Sequence, residues 1–476
     1  MQFRVRHLDP TGKFLPQLRL ELLAQVFPRA AVASVLAECG CLTRRERKLN
    51  LEVTLFLVIA MSLFAQVPID SVLQKLAHGL RLLWPHEDRC HTLLPSRSAI
   101  CYRRSQLGVR PIQALFRRLC RPMATPKTRG AFLFGLRLMA LDGYLQDVPD
   151  TQENAAAFGR TTTDRGDSAY PQVRCVALCE CGTHAMVDAT FWPAGAGEGR
   201  GARRLLRSLT AGMLLLWDRG FHDYELLVAA SRRGAHLLGR LPAHVQPQRV
   251  RRLPDGTWLV KLFPSDRKRR RRGEHLLVRL IEYTLDDPQL PGYGTRYRLV
   301  TTLLDPETFP AETLACTYHE RWEIELVIDE QETHQLGQHH PASPLRSRKP
   351  RGVIQELYGL MLAHYAIRYL MHEAALEADE DPDRLSFTRA LRVIQDSVAD
   401  FEMAASELIP ALCRRLLKEL ADALLHERVP RIEPRVVKRK VIKWPLKRAQ
   451  HSRWLQPTRT FWKAVRLLEC NTGTPI

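Results

Sequence analysis

The sequence predicts a mixed α/β protein that opens with an all-α domain. Three observations carry this expectation. Up to about residue 125, apolar residues recur at helical spacing or sit in helix-forming composition. From about residue 130 the texture changes to short apolar runs separated by turn signals. From residue 354 long helical stretches return.

In chain order, residues 18–26, 29–38, 51–64 and 69–80 read as helices. Residues 96–108 read as a helix ending at Gly108, and Val109-Arg-Pro111 restarts the chain into a basic helix over 112–121. A helix, a tight glycine turn and a basic helix suit either a helix-turn-helix DNA reader or an ordinary packed pair with a solvated basic face. Next come a strand over 131–142, a hairpin of 173–179 and 185–191 turning at Gly182-Thr183, and a helix over 203–209. A strand over 213–217, a helix over 221–233 and a strand over 236–241 follow. That order matches a ribonuclease-H-like α/β core.

Asp218 and Glu325 are 107 positions apart, more than a compact core needs, so residues 242–297 read as a β-rich insertion that splits the core. Inside it, 250–253 and 257–263 flank Asp255-Gly256 as a hairpin, and 276–283 forms a further strand. Residues 296–304 form a strand that either closes the insertion or returns to the core. The predicted organisation is therefore a helical domain at 1–125, core at 126–241 and 298–428, insertion at 242–297, and a basic segment rich in Pro, Lys and Arg at 429–476.

Lys and Arg total 71 against 51 acids, a net charge of +20, which favours a polyanionic partner, most simply double-stranded DNA. A membrane surface fits less well, because the charge is spread along the chain with no amphipathic anchor. The longest apolar stretch, 53–65, is too short to span a bilayer and reads as a buried helix. Met-Gln-Phe-Arg-Val-Arg at the start has no secretory apolar region, which fits a cytoplasmic, nucleoid-associated protein. The 11 cysteines include the pairs Cys39-Gly-Cys41 and Cys179-Glu-Cys181, whose spacing suits reduced thiols better than zinc.

The chemistry concentrates in Tyr318-His-Glu-Arg321-Trp-Glu-Ile-Glu325. On an α-helix its aromatic, arginine and carboxylate fall within an arc of roughly 60°. Two more carboxylates end strand-like runs: Asp142 before Gly143, and Asp218 before Arg219-Gly220-Phe221. Hard oxygen ligands of this kind suit Mg²⁺, and two such ions about 3.5–4 Å apart can clamp both attacking and leaving oxygens of a phosphodiester. Taken singly, each residue has a plainer reading. Asp142 and Asp218 could be turn or cap residues, and Arg321 with Glu325 a surface ion pair. Asp147 and Asp150 fall beyond the predicted strand end, Asp223 is placed to cap a helix, and Asp329 and Glu330 are further acids near the motif, Glu330 off its face. His334, His339 and His340 have no common ligand spacing. The run Arg267, Lys268, Arg269, Arg270, Arg271 and Arg272 reads either as a solvated mobile loop or as a phosphate-contacting finger.

The ordered set of Asp-Gly, Asp-Arg-Gly-Phe and Tyr-x2-Arg-x3-Glu resembles the DDE transposases, in the branch named for insertion sequence 4 of bacteria. The resemblance extends to Pro149-Asp-Thr-x-Glu-Asn154, Phe158-Gly159, Pro434-Arg-Val-Val-Lys-Arg-Lys440 and Trp444-Pro-Leu-Lys-Arg448, and so covers nearly the whole chain. It implies a metal-dependent endonuclease and strand-transfer enzyme that cuts at the inverted-repeat ends of an element and joins them to target DNA. Asp142, Asp218 and Glu325 would hold two Mg²⁺, with Mn²⁺ able to substitute. Asp142 would bridge both ions, Asp218 would hold one and Glu325 the other. Arg321 would orient Glu325 or a phosphate, and Tyr318 would contact the DNA backbone. It further implies end binding by the N-terminal domain, a β insertion before the glutamate, a hairpin intermediate on excised ends, and an insertion tryptophan, here Trp258, that stacks on an extruded base. Packing within the sheet is the plainer reading of Trp258. Strand transfer needs two ends, so a homodimer on DNA is expected. One departure stands out: the family pattern continues Glu-x6-Lys, and this chain has Glu332 at that position. A nuclease that cuts without joining, and a decayed DNA-binding protein, are the rival readings.

Overall fold

The computed structural model describes residues 3–9, 11–41, 49–84, 94–163, 166–290, 292–337, 345–422, 424–425 and 459–468. The chain divides into two compact units. The first comprises Met1–Ala131, Gly143–Gly197 and Leu326–Leu425; the second comprises Phe132–Asp142, Glu198–Glu325 and His426–Ile476. The basic motifs at 434–440 and 444–448 lie outside the described residues, as do His339 and His340.

The first unit gathers the N-terminal helices around Pro350–Ala378. Asn50 starts Leu51–Leu63 by accepting from the Val53 amide at 2.7 Å, and that helix is buried almost throughout. It passes so close to Pro350–Ala378 that a Cβ on Gly359 would come within 2.7 Å of the Val58 carbonyl. No helix among the described residues is long and apolar enough to cross a membrane. Arg97–Leu107 is capped by Ser96 and stops at Gly108, whose φ of 66° is a conformation glycine adopts freely. Together with Arg110–Leu119 it is the helix pair expected from sequence. Arg103 and Arg104 nevertheless face inward: Arg103 Nε donates to the Leu49 carbonyl, and Arg104 pairs with Glu356 at 3.1 Å. The hairpin Gln172–Glu180 with Ala185–Pro193 is antiparallel and largely buried. Val173 and Cys175 join Val148 and Phe158 against Leu336, Val353, Leu357 and Leu360 in an apolar cluster.

The second unit is built on a sheet. Residues 137–141 run parallel to Met213–Trp217, which runs parallel to His236–Arg240. Tyr297–Thr301 then pairs antiparallel with His236–Arg240 and with Leu276–Leu285. The strand expected over 296–304 thus pairs with His236–Arg240 on one side and Leu276–Leu285 on the other. Trp258–Leu262 and Gln248–Arg252 extend the same sheet outward, and Val465–Leu467 adds to Leu276–Leu285. Trp217 is fully buried, and Gly239 makes its room: a Cβ there would overlap the indole ring.

One expectation fails. The strand that carries Asp142 does not end there but runs from Leu136 to Asp147. Asp-Gly is a turn signal only while nothing outside the dipeptide competes; here pairing overrides it. Asp147 thus closes the strand, accepting from Gln172 Nε2 at 2.8 Å, instead of lying beyond it.

Candidate active site

All three candidate carboxylates belong to the second unit. Leu141 and Trp217 are register partners on adjacent parallel strands, so Asp142 and Asp218 follow side by side. Neighbouring strands stand about 4.8 Å apart, close enough for two carboxylates to serve one site. Asp218 sits at the N-cap position of a short 3₁₀ turn, Arg219–Phe221, yet its side chain makes no capping hydrogen bond. The turn and cap readings thus fail for both aspartates, since Asp142 is in mid-strand.

The motif helix is less regular than its spacing predicts. Tyr318–Trp322 is a 3₁₀ segment, Glu323–Asp329 is α-helical and Glu330–Gln335 is a π turn. In a 3₁₀ helix, residues three apart eclipse, so Tyr318 and Arg321 still share a face. Arg321 is the hub. Its Nη1 donates to Asp142 Oδ2 at 3.2 Å and its Nη2 to Glu325 Oε1 at 3.0 Å. Burial alone would lower the Arg321 pKa, but Tyr318, Asp142, Glu325 and Asp218 together raise it, so the cation is fixed among the acids.

Tyr318 is buried, and its hydroxyl donates to the Trp217 carbonyl at 3.3 Å. Burial pushes its pKa up. Expected at the DNA backbone, it instead ties the motif helix to the strand residue preceding Asp218. Burial also lowers His222, just beyond Phe221, to about 4.

The donor set fits a hard divalent cation. Asp218 is half-buried and makes no side-chain hydrogen bond among the described residues, and Glu325 gives only one oxygen to Arg321. Partly desolvated carboxylate oxygens without protein donors are what Mg²⁺ takes as ligands, completing its shell with water and phosphate.

The neighbouring acids have other work. Asp150 pairs with Arg160 at 2.7 Å, and Asp223 caps Tyr224–Ser231 by accepting from the Leu226 amide. Asp329 accepts from the Thr333 hydroxyl at 2.6 Å. Glu330 is the residue that sequence reasoning undervalued. In the first unit it is buried and bound by Arg368, by His184 Nδ1 at 3.2 Å and by His364 Nε2 at 2.9 Å. These partners lie far off in sequence, so no local signal announces them.

The arginine run is not a loop. Arg267–Arg271 is a helical turn capped by Asp266. Arg269 binds Glu225 and Glu274, and the Arg270 guanidinium lies 5.0 Å from the Phe263 ring centre. Arg267, Lys268, Arg271 and Arg272 are exposed and make no side-chain bond among the described residues. Trp258 is half-buried, with the Arg249 guanidinium 4.6 Å from its ring centre. Glu332 belongs to the π turn, is half-buried, and its charge helps raise the pKa values of Tyr144 and Cys175, for which burial is the main cause.

The family described as Transposase DDE domain matches residues 133–366, and the one described as Insertion element 4 transposase N-terminal matches residues 17–117. Transposase InsG for insertion sequence element IS4 of Escherichia coli K12 is 31% identical over 423 residues, covering 87% of this chain and 91% of the relative. The cryo-EM structure of a piggyBac transposase synaptic complex with hairpin DNA is 13% identical with a TM-score of 0.39, over 90% of this chain and 89% of that one.

Proposed function

The chain belongs to the insertion sequence 4 family of DDE transposases, and from that premise we propose that it moves its element by cut and paste. It is a DNA transposase. Both ends of the element are cleaved to free 3′ hydroxyls, which then attack target DNA. Asp142, Asp218 and Glu325 would hold the divalent metal, Mg²⁺ by the hardness of their oxygens. Bound there, the metal would activate the attacking oxygen and stabilise the leaving 3′ oxygen. Arg321 holds Asp142 and Glu325 at fixed separation, so that binding metal costs little rearrangement. Tyr318 anchors that helix to the strand before Asp218. The observation that carries the reading is the single guanidinium shared by Asp142 and Glu325 beside Asp218 in register.

Residues 1–125 form the helical end-binding domain in this reading, and 242–297 form an insertion whose exposed cations, Arg267, Lys268, Arg271 and Arg272, meet the backbone of the same DNA. Trp258, half-buried with Arg249 against its ring, is the residue that would stack on an extruded base. Joining two ends requires two sites, so the working form is a homodimer on DNA, in the cytoplasm at the nucleoid.

The test uses purified protein, Mg²⁺ and a duplex carrying the element's terminal sequence. Native protein should cleave at the terminus and join a pre-cut end to a plasmid. Cleavage without joining would make it a nuclease. Asp142→Asn, Asp218→Asn and Glu325→Gln should each bind the end and fail to cut it. A variant that cuts normally removes that residue from the site.

A further inference from the structure

A cavity of about 830 Å³ lies in the first unit, walled by Arg97–Leu107 and by the chain leading into Pro350–Ala378. Six cations line it: Arg97, Arg104, Arg346, Arg348, Lys349 and Arg351. Glu153 is the only carboxylate among its lining residues.

Two of the six cations are fixed in the floor. The Arg346 guanidinium donates to the Phe64 and Ala65 carbonyls at 2.8 and 2.7 Å, while its amide donates to Glu356 at 2.7 Å. Arg104 donates to Gln355 at 3.0 Å and pairs with that same Glu356. Burial lowers the Arg346 pKa; Glu356 opposes this, while Arg104 and Arg97 lower it further. The floor is thus a crowd of like charges with one buried acid to balance it.

The other four differ. Arg97, Arg348, Lys349 and Arg351 are exposed and make no ion pair among the described residues. Four such cations around one basin repel each other until an anion enters. A lone phosphate would satisfy two of them through a guanidinium fork; a polymer of phosphates satisfies all four and releases their counter-ions. The 29-residue helix Pro350–Ala378 begins at the same rim without a side-chain cap, which adds its N-terminal dipole to the field.

We propose that this cavity is a second seat for duplex DNA, made of none of the residues of the acidic site, in which Arg97, Arg348, Lys349 and Arg351 bind backbone phosphates. The proposal rests on the transposase reading above. The seat reads no bases: contacts to phosphate position a duplex without specifying it.

The test is Arg348→Gln/Lys349→Gln in the full chain, against a charge-matched control, Arg414→Gln/Lys418→Gln, on exposed positions of Ile409–Ala421. All the replaced side chains are exposed, so both variants should melt with the native protein. Affinity is measured from 50 to 200 mM salt on the element's terminal duplex and on an unrelated duplex of equal length. Losing two phosphate contacts should reduce the log–log salt slope by roughly 1.8, weakening binding about two-hundredfold at 50 mM and about twentyfold at 200 mM. Loss on both duplexes supports a seat open to any DNA; loss on one alone supports the seat and assigns it to the end or to the target. A native slope in the variant, or an equal loss in the control, overturns the seat while leaving the transposase reading intact. Failure of the native protein to bind either duplex would overturn both.

Discussion

Glu325 and Glu330 lie five positions apart, and an arginine binds each. Glu325 belongs to the sheet-built unit, is 40% exposed at its side chain, and shares Arg321 with Asp142. Glu330 belongs to the helical unit, is 10% exposed, and has both oxygens occupied by Arg368, His184 and His364. Burial alone would raise the Glu330 pKa, but Arg368 and the two histidines hold it well below the ordinary carboxylate range. The contrast separates two uses of one functional group. A carboxylate saturated by the protein stabilises the fold and is closed to metal. One that shares a single guanidinium and keeps an oxygen open can take a metal but adds little stability.

The widest break in that comparison should be kinetic. Glu325→Gln should slow end cleavage by at least about 10⁴-fold, roughly 5.5 kcal/mol of barrier, measured at saturating DNA. Its unfolding free energy should shift by less than about 1 kcal/mol, since a partly exposed pair contributes little. Glu330→Gln should do the reverse. It strands Arg368 in a buried site, which costs about 3–5 kcal/mol in denaturant unfolding, while the folded fraction still cleaves. If Glu330→Gln unfolds like the native protein, or abolishes cleavage without loss of stability, the division of labour is wrong.

Acid provides a smaller separation. Glu330 has a depressed folded pKa, so its contribution is present above the unfolded value near 4.5 and is lost as pH falls below it. His222, in the other unit, is lowered to about 4 from 6.5. Between those values the unfolded state binds the proton more readily, so stability is lost as pH falls from 6.5 towards 4. At pH 5 this amounts to about 2 kcal/mol. His222→Gln should therefore lose less stability than the native protein between pH 7 and pH 5, in a window where Glu330 is still ionised. Equal losses would show that His222 does not set the acid response of its unit.

Residues whose signal is local could be read from the sequence. Apolar runs beside Asp-Gly and Asp-Arg-Gly located both aspartates, and Ser96, Gly108 and Asp223 announced helix ends that the structure keeps. What was hidden depended on distant partners or on small changes of pitch. Nothing near Gly143 says that the strand continues to Asp147, because that is decided by pairing. Periods of three and 3.6 residues cannot be told apart over the five residues Tyr318–Trp322. Arg269 looked like its neighbours in the basic run, but it alone in the run pairs with Glu225, 44 positions away. Glu330 looked like an idle acid because His184 and Arg368 come from other segments of its unit.

Glu332 supplies the smallest and most delicate test. Projected on an α-helix, it would share the face of Glu325 and repel the backbone of bound DNA. The π turn Glu330–Gln335 closes its hydrogen bonds one residue later than an α-helix, so that projection no longer holds past Asp329. Glu332 is instead half-buried, with its charge felt by Tyr144 and Cys175. A half-buried charge should act on DNA through the field rather than by contact. Glu332→Lys should therefore tighten end binding by no more than about 1 kcal/mol, some fivefold, at low salt, and by less at 0.15 M, where the Debye length is about 8 Å. Cleavage at saturating DNA should be unchanged, because the substitution leaves Asp142, Asp218, Glu325 and Arg321 in place. The measurement is end affinity and single-turnover cleavage at two salt concentrations. A gain that persists at high salt would mean that the lysine reaches a phosphate directly, and would return position 332 to the DNA-binding face. A faster cleavage step would extend the acidic site to this residue and end the separation between the two carboxylates with which the comparison began.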